Sequence, residues 1–279
     1  MALILAGLSA LFYGVADFGG GFAARRSRLL SVLLVSQVLG IGIAGLAVAL
    51  RWQGLPSGQD FALGLLAGLV GTMGMFMLYG GIARSIVAIV SPTSAVVGAV
   101  IPVLFAVAHG ERPSALALAG CALCLPAVFL LSREGAGSHE GKSVRSALAY
   151  GALAGLGFGI FFTIIARVSP GAGIWPLVAA RVASLTASAS VLLVLRQPLR
   201  IEPGDWIPTF VAGGADMLAN IMFLLASQSG MLTLVVIITS LSPAPTVLLA
   251  RCVLAQRITA SRWAGIVLAL AGVALISIR

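Results

Sequence analysis

The chain consists almost entirely of apolar runs about 20 residues long, the length that an α-helix needs to cross a membrane. Ten such runs can be marked. They lie at roughly 3–22, 30–50, 61–82, 86–108, 115–132, 146–167, 174–195, 206–227, 231–253 and 261–278. Most of the connections are short, so consecutive helices should be antiparallel neighbours. The sequence therefore predicts an all-α polytopic membrane protein with ten transmembrane helices.

The composition excludes an ordinary soluble domain. Hydrophobic residues make up 60% of the chain and charged residues only 9%, whereas about a quarter of the residues of a soluble domain are charged. The net charge of +9 does not indicate a nucleic-acid partner, because the basic residues are dispersed over short connections. Cys121 and Cys124 have C-x-x-C spacing, but no acidic residue or histidine lies close by. Helix packing is therefore favoured over redox or metal chemistry for them, and no metal or cofactor is predicted.

The chain also carries an internal duplication with a period of 145 residues. A shift by this period places Tyr13-Gly14 on Phe158-Gly159, Leu50-Arg51 on Leu195-Arg196, Glu111-Arg112 on Gln256-Arg257, Ser114 on Thr259, Gly120 on Gly265 and Ser132 on Ser277. Each copy holds an odd number of runs, so the second copy must enter the membrane inverted. We expect two inverted five-helix repeats, residues 1–139 and 140–279, which together form one membrane domain with a linker at 133–145. Many secondary transporters build a central site from inverted repeats.

Prolines interrupt corresponding runs of the two copies. Pro92 and Pro102 lie in the fourth run, and Pro243 and Pro245 lie in the ninth. Proline kinks or breaks a helix because it cannot donate a backbone hydrogen bond. Helices broken at corresponding places in both halves point to a transport path, and kinks that serve only packing are the alternative.

Three ionisable residues, Arg181, Asp216 and Asp17, lie inside the runs, where a charge is costly and usually functional. Arg181 and Asp216 lie in antiparallel neighbouring runs, near the same depth. Asn220 follows Asp216 by four residues and shares its helix face. We predict that Arg181 and Asp216 pair across a wet cavity, where an amino acid or another zwitterion competes for them. A buried pair that only fixes helix packing is the alternative.

Other polar and aromatic residues are weaker candidates for the same cavity. Asp17 is either a proton site or a group that snorkels beside Arg25. Gln37 would add a polar contact. Aromatic wall candidates are Tyr13, Tyr79, Phe158 and Trp175, and hydroxyl candidates are Ser94 and Thr239, which are equivalent positions in the two copies. Each could equally serve helix packing or interface anchoring.

The ten short runs, their five-plus-five duplication, the aromatic-Gly pairs and the pattern that ends each repeat resemble the EamA-type transporters of the drug/metabolite transporter superfamily. The ending pattern is His109-Gly-Glu-Arg-Pro-Ser114 followed by Gly120, and Ala255-Gln-Arg-Ile-Thr259 followed by Gly265. The resemblance implies a basket of helices around a central cavity, with spans five and ten at the periphery. It also implies export of amino acids, including aromatic ones, or transport of drugs, sugars or nucleotide-linked metabolites. The second copy carries Gln256 where the family often has glutamate, so no essential charge is assigned there.

The sequence thus predicts a secondary transporter that exports small metabolites, most directly amino acids, with a multidrug or nucleotide/sugar-metabolite transporter as the alternative. There is no Walker motif, so coupling would come from the substrate gradient or from protons carried by Asp216 or Asp17. An enzyme is not predicted, because His109 and His139 lie at or beyond the ends of runs and form no catalytic set. A non-transporting scaffold would not need the central charges. The expected partners are a small-molecule substrate and the lipid bilayer.

The distribution of basic residues predicts the orientation. The odd-numbered connections and their flanks carry twelve basic residues, and the opposite side carries four. The positive-inside rule therefore places both termini outside, whereas the resemblance implies both termini inside. The Arg-dominated, Ala/Gly/Leu-rich composition suggests a bacterial inner membrane.

Overall fold

The computed structural model describes residues 1–50, 54–84, 87–132, 144–254 and 259–277, and this part of the chain contains helices and turns but no strand. The helices are α1 (Ala2–Ala23), α2 (Leu29–Leu50), α3 (Gly58–Arg84), α4 (Val87–Ala108), α5 (Ala115–Ser132), α6 (Val144–Ala166), α7 (Trp175–Val194), α8 (Trp206–Ser229), α9 (Leu232–Thr239), α10 (Pro243–Leu254) and α11 (Ala260–Ser277). Short 3₁₀ helices precede α7 at Pro170–Ala172 and α8 at Pro203–Asp205. The all-helical prediction is confirmed for the described residues. Most of the predicted linker lies outside them.

Seven segments of the described chain are long and apolar enough to cross a membrane. They are Ala2–Ala23, Leu29–Leu50, Gly58–Leu78, Val144–Ala166, Trp175–Val194, Pro203–Ser229 and Leu232–Val253. Three shorter apolar helices, Thr93–Ala108, Ala115–Leu130 and Ala260–Ile276, correspond to the predicted runs four, five and ten. The chain is therefore a multi-pass membrane protein by the length and composition of its helices.

The helices pack through small residues at close range. α1 packs on α8, α3 packs on α6 and α7, and α2 packs on α7 and α8. A Cβ added at Gly213 of α8 would lie 2.5 Å from the backbone oxygen of Ser36 in α2. Likewise, a Cβ at Gly157 of α6 would lie 2.6 Å from the Cα of Gly74 in α3. Glycine at these positions lets backbones approach, which drives helix association in lipid.

The ninth and fourth predicted runs differ in continuity. The ninth is divided at residues 240–242 into α9 and α10, with Pro243 and Pro245 in the first turn of α10. The fourth is one helix across Pro92 and Pro102, so the expected interruption there is absent. The reason is spacing: Pro243 and Pro245 remove two donors within one turn, whereas Pro92 and Pro102 each remove one donor from a different part of α4.

Candidate functional site

The predicted charges meet inside the bundle. Arg181 of α7 donates from its guanidinium to the carboxylate of Asp216 in α8 and forms an ion pair with it. The two side chains are only 14% and 27% exposed. A Cβ at Gly40 of α2 would lie 3.4 Å from Nε of Arg181, so the missing side chain leaves room for the guanidinium. The pair thus sits where α2, α7 and α8 meet.

Asn220 extends this pair to a third helix. Its Nδ2 donates to the backbone oxygen of Asp216 at 2.7 Å, and Asp216 Oδ2 lies 3.4 Å away. Its Oδ1 accepts a hydrogen bond from the hydroxyl of Tyr13 in α1 at 3.0 Å. Arg181, Asp216, Asn220 and Tyr13 therefore form one polar chain that connects α7, α8 and α1.

An aromatic cluster adjoins this polar chain. The ring of Tyr13 meets Phe162 of α6 edge-on, with centroids 6.0 Å apart. Phe162 also contacts Phe161 at 5.4 Å and Phe223 of α8 at 4.6 Å. The polar site therefore has an apolar wall beside it, built largely from phenylalanines that the sequence did not single out.

The break between α9 and α10 lies against the same turn of α1. A Cβ at Gly14 would lie 2.6 Å from Cγ of Pro245 and 2.7 Å from the backbone oxygen of Ser242. Thr246 of α10 donates to the carbonyl of Gly14 at 3.1 Å. The Tyr13-Gly14 pair thus has two roles, because Tyr13 reaches the polar chain and Gly14 admits the broken helix.

Asp17 lies one turn after Tyr13 on α1, on the same face. That face is buried at Ala6 and Ala10 but exposed at Asp17 and Gly21. The exposed apolar stripe of Ile4, Leu8 and Leu11 lies on the opposite side of the helix. A Cβ at Gly21 would meet nothing within 4 Å. Asp17 is therefore exposed in the second half of α1, and it has no hydrogen bond or ion pair to any described residue.

The two parts of the broken helix differ in burial. Seven of the eight residues of α9 are buried, whereas the last residues described in α10 are exposed. The part that follows α8 is thus enclosed by other helices, and the far end of α10 is not.

The other predicted residues lie elsewhere. Gln37 donates to Ser188 at 3.1 Å, between α2 and α7, and does not reach Asp216. Trp175 donates to the carbonyl of Gly54 at 2.9 Å, at the start of α7 and away from the pair. Phe158 lies at the contact of α6 with α3 and α4. The side chains of Ser94, Pro102 and Thr239 are buried, and those of Tyr79 and Pro92 lie outside the described part of the chain.

Three carboxylates gain roles that sequence reasoning did not assign. Glu111 accepts hydrogen bonds from the backbone N–H groups of Leu232 and Thr233, at 2.6 and 3.0 Å, and so caps the start of α9. Asp60 and Asp205 bind serine residues in distant connections. The 145-residue period was the available signal for the last two, because it places Asp60 on Asp205.

Helices of membrane length with a charged pair buried between them define a polytopic membrane protein with a polar internal site. The model of the EamA-like transporter family matches residues 145–278, nearly half of the chain. A crystal structure of another protein has the same fold, with a TM-score of 0.80 over 99% of this chain and 96% of that chain, at 16% identity. No curated protein matches the sequence significantly. The resemblance drawn from the sequence is confirmed.

Proposed function

We propose that the protein is a secondary transporter that exports amino acids or similar zwitterionic metabolites by alternating access around the Arg181–Asp216 site. The observation that carries this proposal is the charged polar chain that joins α7, α8 and α1 inside the bundle. Charge at this depth is costly and is usually retained for function. A small-molecule substrate also agrees with the transporter family whose model matches the second half.

The chemistry of the site suits a zwitterion. The guanidinium of Arg181 can hold a substrate carboxylate through paired N–H groups. The carboxylates of Asp216 and Asp17 are available to an ammonium group. The cluster of Phe161, Phe162 and Phe223 offers an apolar surface to a side chain, aromatic ones included. When Arg181, Asp216 and Asp17 are all ionised, the site holds one positive and two negative charges. One additional positive charge, either the substrate ammonium or a proton, would neutralise it.

We also infer that the two halves are inverted repeats, because their helix contacts are equivalent under the 145-residue period. Ser9 of α1 donates to the carbonyl of Ala219 in α8 at 2.9 Å. The equivalent residues are Ala154 of α6 and Gly74 of α3, and a Cβ at Gly74 would lie 3.0 Å from the carbonyl of Ala154. In the same way, the contact of α3 with α7 corresponds to that of α8 with α2. Residues 1–139 and 140–279 would be the two copies, set in a bacterial inner membrane.

A transporter of organic cations is the second candidate function. It is favoured by Asp17, an exposed carboxylate with no ion-pair partner among the described residues. Arg181 would then serve only to neutralise Asp216. This candidate predicts that lipophilic cations, and not amino acids, compete for transport.

The test is uptake of a panel of radiolabelled amino acids into proteoliposomes, with Asp216→Asn and Arg181→Gln beside the wild type. We expect saturable uptake that falls at least tenfold in both variants. The matched control is the surface pair Arg200 and Glu202, whose side chains are 69% and 38% exposed. Arg200→Gln and Glu202→Gln should transport normally. Full uptake by the Asp216 and Arg181 variants would make their pair structural, and uptake of cations alone would favour the second candidate.

A further inference from the structure

A hydrogen bond of the Asp205 side chain connects the start of α8 to the connection between α1 and α2. It is 1% exposed, and its Oδ2 accepts a hydrogen bond from Ser27 Oγ at 2.7 Å. Ser27 in turn accepts from the backbone N–H of Glu202 at 2.9 Å. Arg200 N–H donates to Ser31 Oγ, also at 2.9 Å. A helix of the second copy is thus bound to a hairpin of the first.

Asp60 makes the corresponding connection at the start of α3. It is 7% exposed, and it accepts hydrogen bonds from the backbone N–H of Ser169 at 3.0 Å and from its hydroxyl at 2.6 Å. Ser169 lies between α6 and α7. Here a helix of the first copy is bound to a hairpin of the second.

These aspartates are equivalent, since they are the only acidic residues of the chain that the 145-residue period superimposes. They lie at opposite ends of the bundle. Asp205 is at the end where α1 finishes, and Asp60 is at the end where α2 finishes. At each end of the bundle, an aspartate therefore connects a helix of one copy to a connection of the other copy. Asp205 belongs to the second copy, and Asp60 belongs to the first.

Most contacts of nine of the described helices fall within two bundles that mix the copies, whereas α5 and α11 pack mainly on each other. Between the two bundles, α2 packs on α7 and α4 packs on α9. The first bundle is α1, α2, α8, α9 and α10, in which α8 packs on α1 and α2 and the broken helix packs on α1. The second bundle is α3, α4, α6 and α7, in which α6 packs on α3 and α4, and α3 packs on α7. Asp205 binds within the first bundle and Asp60 binds within the second.

The candidate site lies at the seam between these bundles. Arg181 belongs to the second bundle and Asp216 to the first. Phe162 and Phe223 also meet across the seam, with their rings 4.6 Å apart. We propose that the moving units in transport are the two mixed bundles and not the two sequence repeats, and that Asp60 and Asp205 are positioning residues that hold each bundle together.

This inference rests on the proposed function and adds a coupling mechanism to it. A substrate that competes for Arg181 or Asp216 loosens the one ion pair that the described residues form across the seam. Binding then changes the relative stability of two arrangements of the bundles, which is what a ligand must do to drive a conformational change.

Disulfide cross-linking tests the proposal, because both aspartate contacts join one sequence repeat to the other. In a variant without Cys121, Cys124 and Cys252, the pairs Ser27→Cys with Asp205→Cys and Asp60→Cys with Ser169→Cys are introduced together. If the repeats moved relative to each other, a single cross-link at the pivot of that movement would not block it. Two cross-links at opposite membrane faces cannot both lie at the pivot. If the repeats moved as units, oxidation would abolish uptake of the amino-acid panel. We expect uptake within about twofold of the reduced sample.

A cross-link across the seam provides the opposite control. Gln37→Cys with Ser188→Cys, whose side chains lie 3.1 Å apart between α2 of the first bundle and α7 of the second, should abolish uptake when oxidised, and reduction should restore it. The proposal is overturned if the double aspartate cross-link blocks uptake reversibly. Absence of uptake in the cysteine-free parent would instead count against the proposed function.

Distances between spin labels provide a readout that does not require transport. Labels at Arg28 and Arg200 lie in different repeats but in the same bundle, whereas labels at Gly171 and Ser229 lie in one repeat but in different bundles. In liposomes, with and without a mixture of the twenty amino acids, the first pair should keep one narrow distance. The second pair should show a broad distribution or a shift. The reverse pattern, or two equally narrow and fixed distances, would overturn the proposal.

Discussion

Tyr13 makes two contacts with different parts of its side chain. Its ring packs on Phe162, and its hydroxyl donates to Asn220, which contacts Asp216. The hydroxyl of Tyr13 thus stabilises the orientation in which the amide nitrogen of Asn220 faces Asp216.

Tyr13→Phe removes the hydroxyl and keeps the ring. A hydrogen bond of this kind contributes about 1 kcal/mol, so we expect the KM for transport to rise roughly fivefold with little change in thermal stability. The measurement is uptake kinetics in proteoliposomes. Tyr150→Phe, a tyrosine of α6 outside the polar chain, serves as the control. Equal kinetics in the two variants would show that the hydroxyl does not support the site.

Sequence reasoning at this scale found the residues that are chemically unusual for their surroundings. Arg181, Asp216 and Asn220 are polar groups in apolar runs, and the structure brings them together. Phe162 could not be found in this way, since one phenylalanine in an apolar run looks like any other. The hydrogen bond from Tyr13 to Asn220 joins residues 207 positions apart, and no local pattern encodes such a pairing.

Among the elements, α8 and α2 approach so closely at Gly213 that a methyl group has no space. A Cβ there would meet the backbone oxygen and Cα of Ser36 at 2.5 and 2.7 Å. Since backbone atoms cannot rotate away, Gly213→Ala should destabilise the fold by about 1–3 kcal/mol. The measurement is thermal unfolding of the purified protein in detergent.

The adjacent glycine is a matched control for that substitution. A Cβ at Gly214 would meet only the side chains of Ile43 and Leu39, at 3.5 and 3.9 Å. Gly214→Ala should therefore leave the melting temperature unchanged or raise it slightly, because alanine favours the helix. Similar losses in both variants would mean that the close approach at Gly213 is not what stabilises the contact.

The short helix α9 depends on a cap from outside its own sequence. Glu111 accepts hydrogen bonds from two N–H groups in its first turn, where a negative charge also interacts favourably with the helix dipole. Glu111→Ala should lower stability by about 1–3 kcal/mol. Glu111→Gln should cost less, since the amide retains one acceptor oxygen.

The same thermal measurement checks this prediction, with Glu202→Ala as the control at the surface. If Glu111→Ala melts like the Glu202 variant, the cap is dispensable. Glu111→Gln also places at position 111 the residue type that the sequence has at the equivalent position 256.

Hydropathy predicted the extents of the helices well, since the runs at roughly 30–50 and 115–132 correspond closely to Leu29–Leu50 and Ala115–Ser132. Proline content alone did not predict which run would break. The fourth and ninth runs each hold two prolines, but only the ninth is divided. Proline spacing and the space that Gly14 leaves beside Pro245 account for the difference, and the second of these requires the tertiary structure.

For the whole molecule, the charge distribution predicts the orientation in the membrane. The end where α1 finishes and α2 begins is the side that carries most of the basic residues. By the positive-inside rule we expect this end to face the cytoplasm and both termini to lie on the other side.

A reporter at the C-terminus tests this orientation. A fusion to alkaline phosphatase in a bacterial host should be active, and a fusion to green fluorescent protein should be dark, because each reports one side of the membrane. Neutral substitution of Arg25, Arg26 and Arg28 should weaken this bias. A fluorescent and phosphatase-inactive C-terminus would place both termini inside and contradict this prediction.

The packing of α1 on α8 has a consequence for biosynthesis. The hydroxyl of Tyr13 and its acceptor on Asn220 are separated by 207 residues, which a ribosome takes roughly 10 to 40 seconds to synthesise. During that interval α1 lies in the bilayer with Ser9 and Tyr13 lacking the hydrogen-bond acceptors that α8 later supplies. The first copy therefore remains an unfinished assembly until the second is made. A nascent chain that stalls between the copies leaves polar groups in lipid, where quality-control proteases can recognise them.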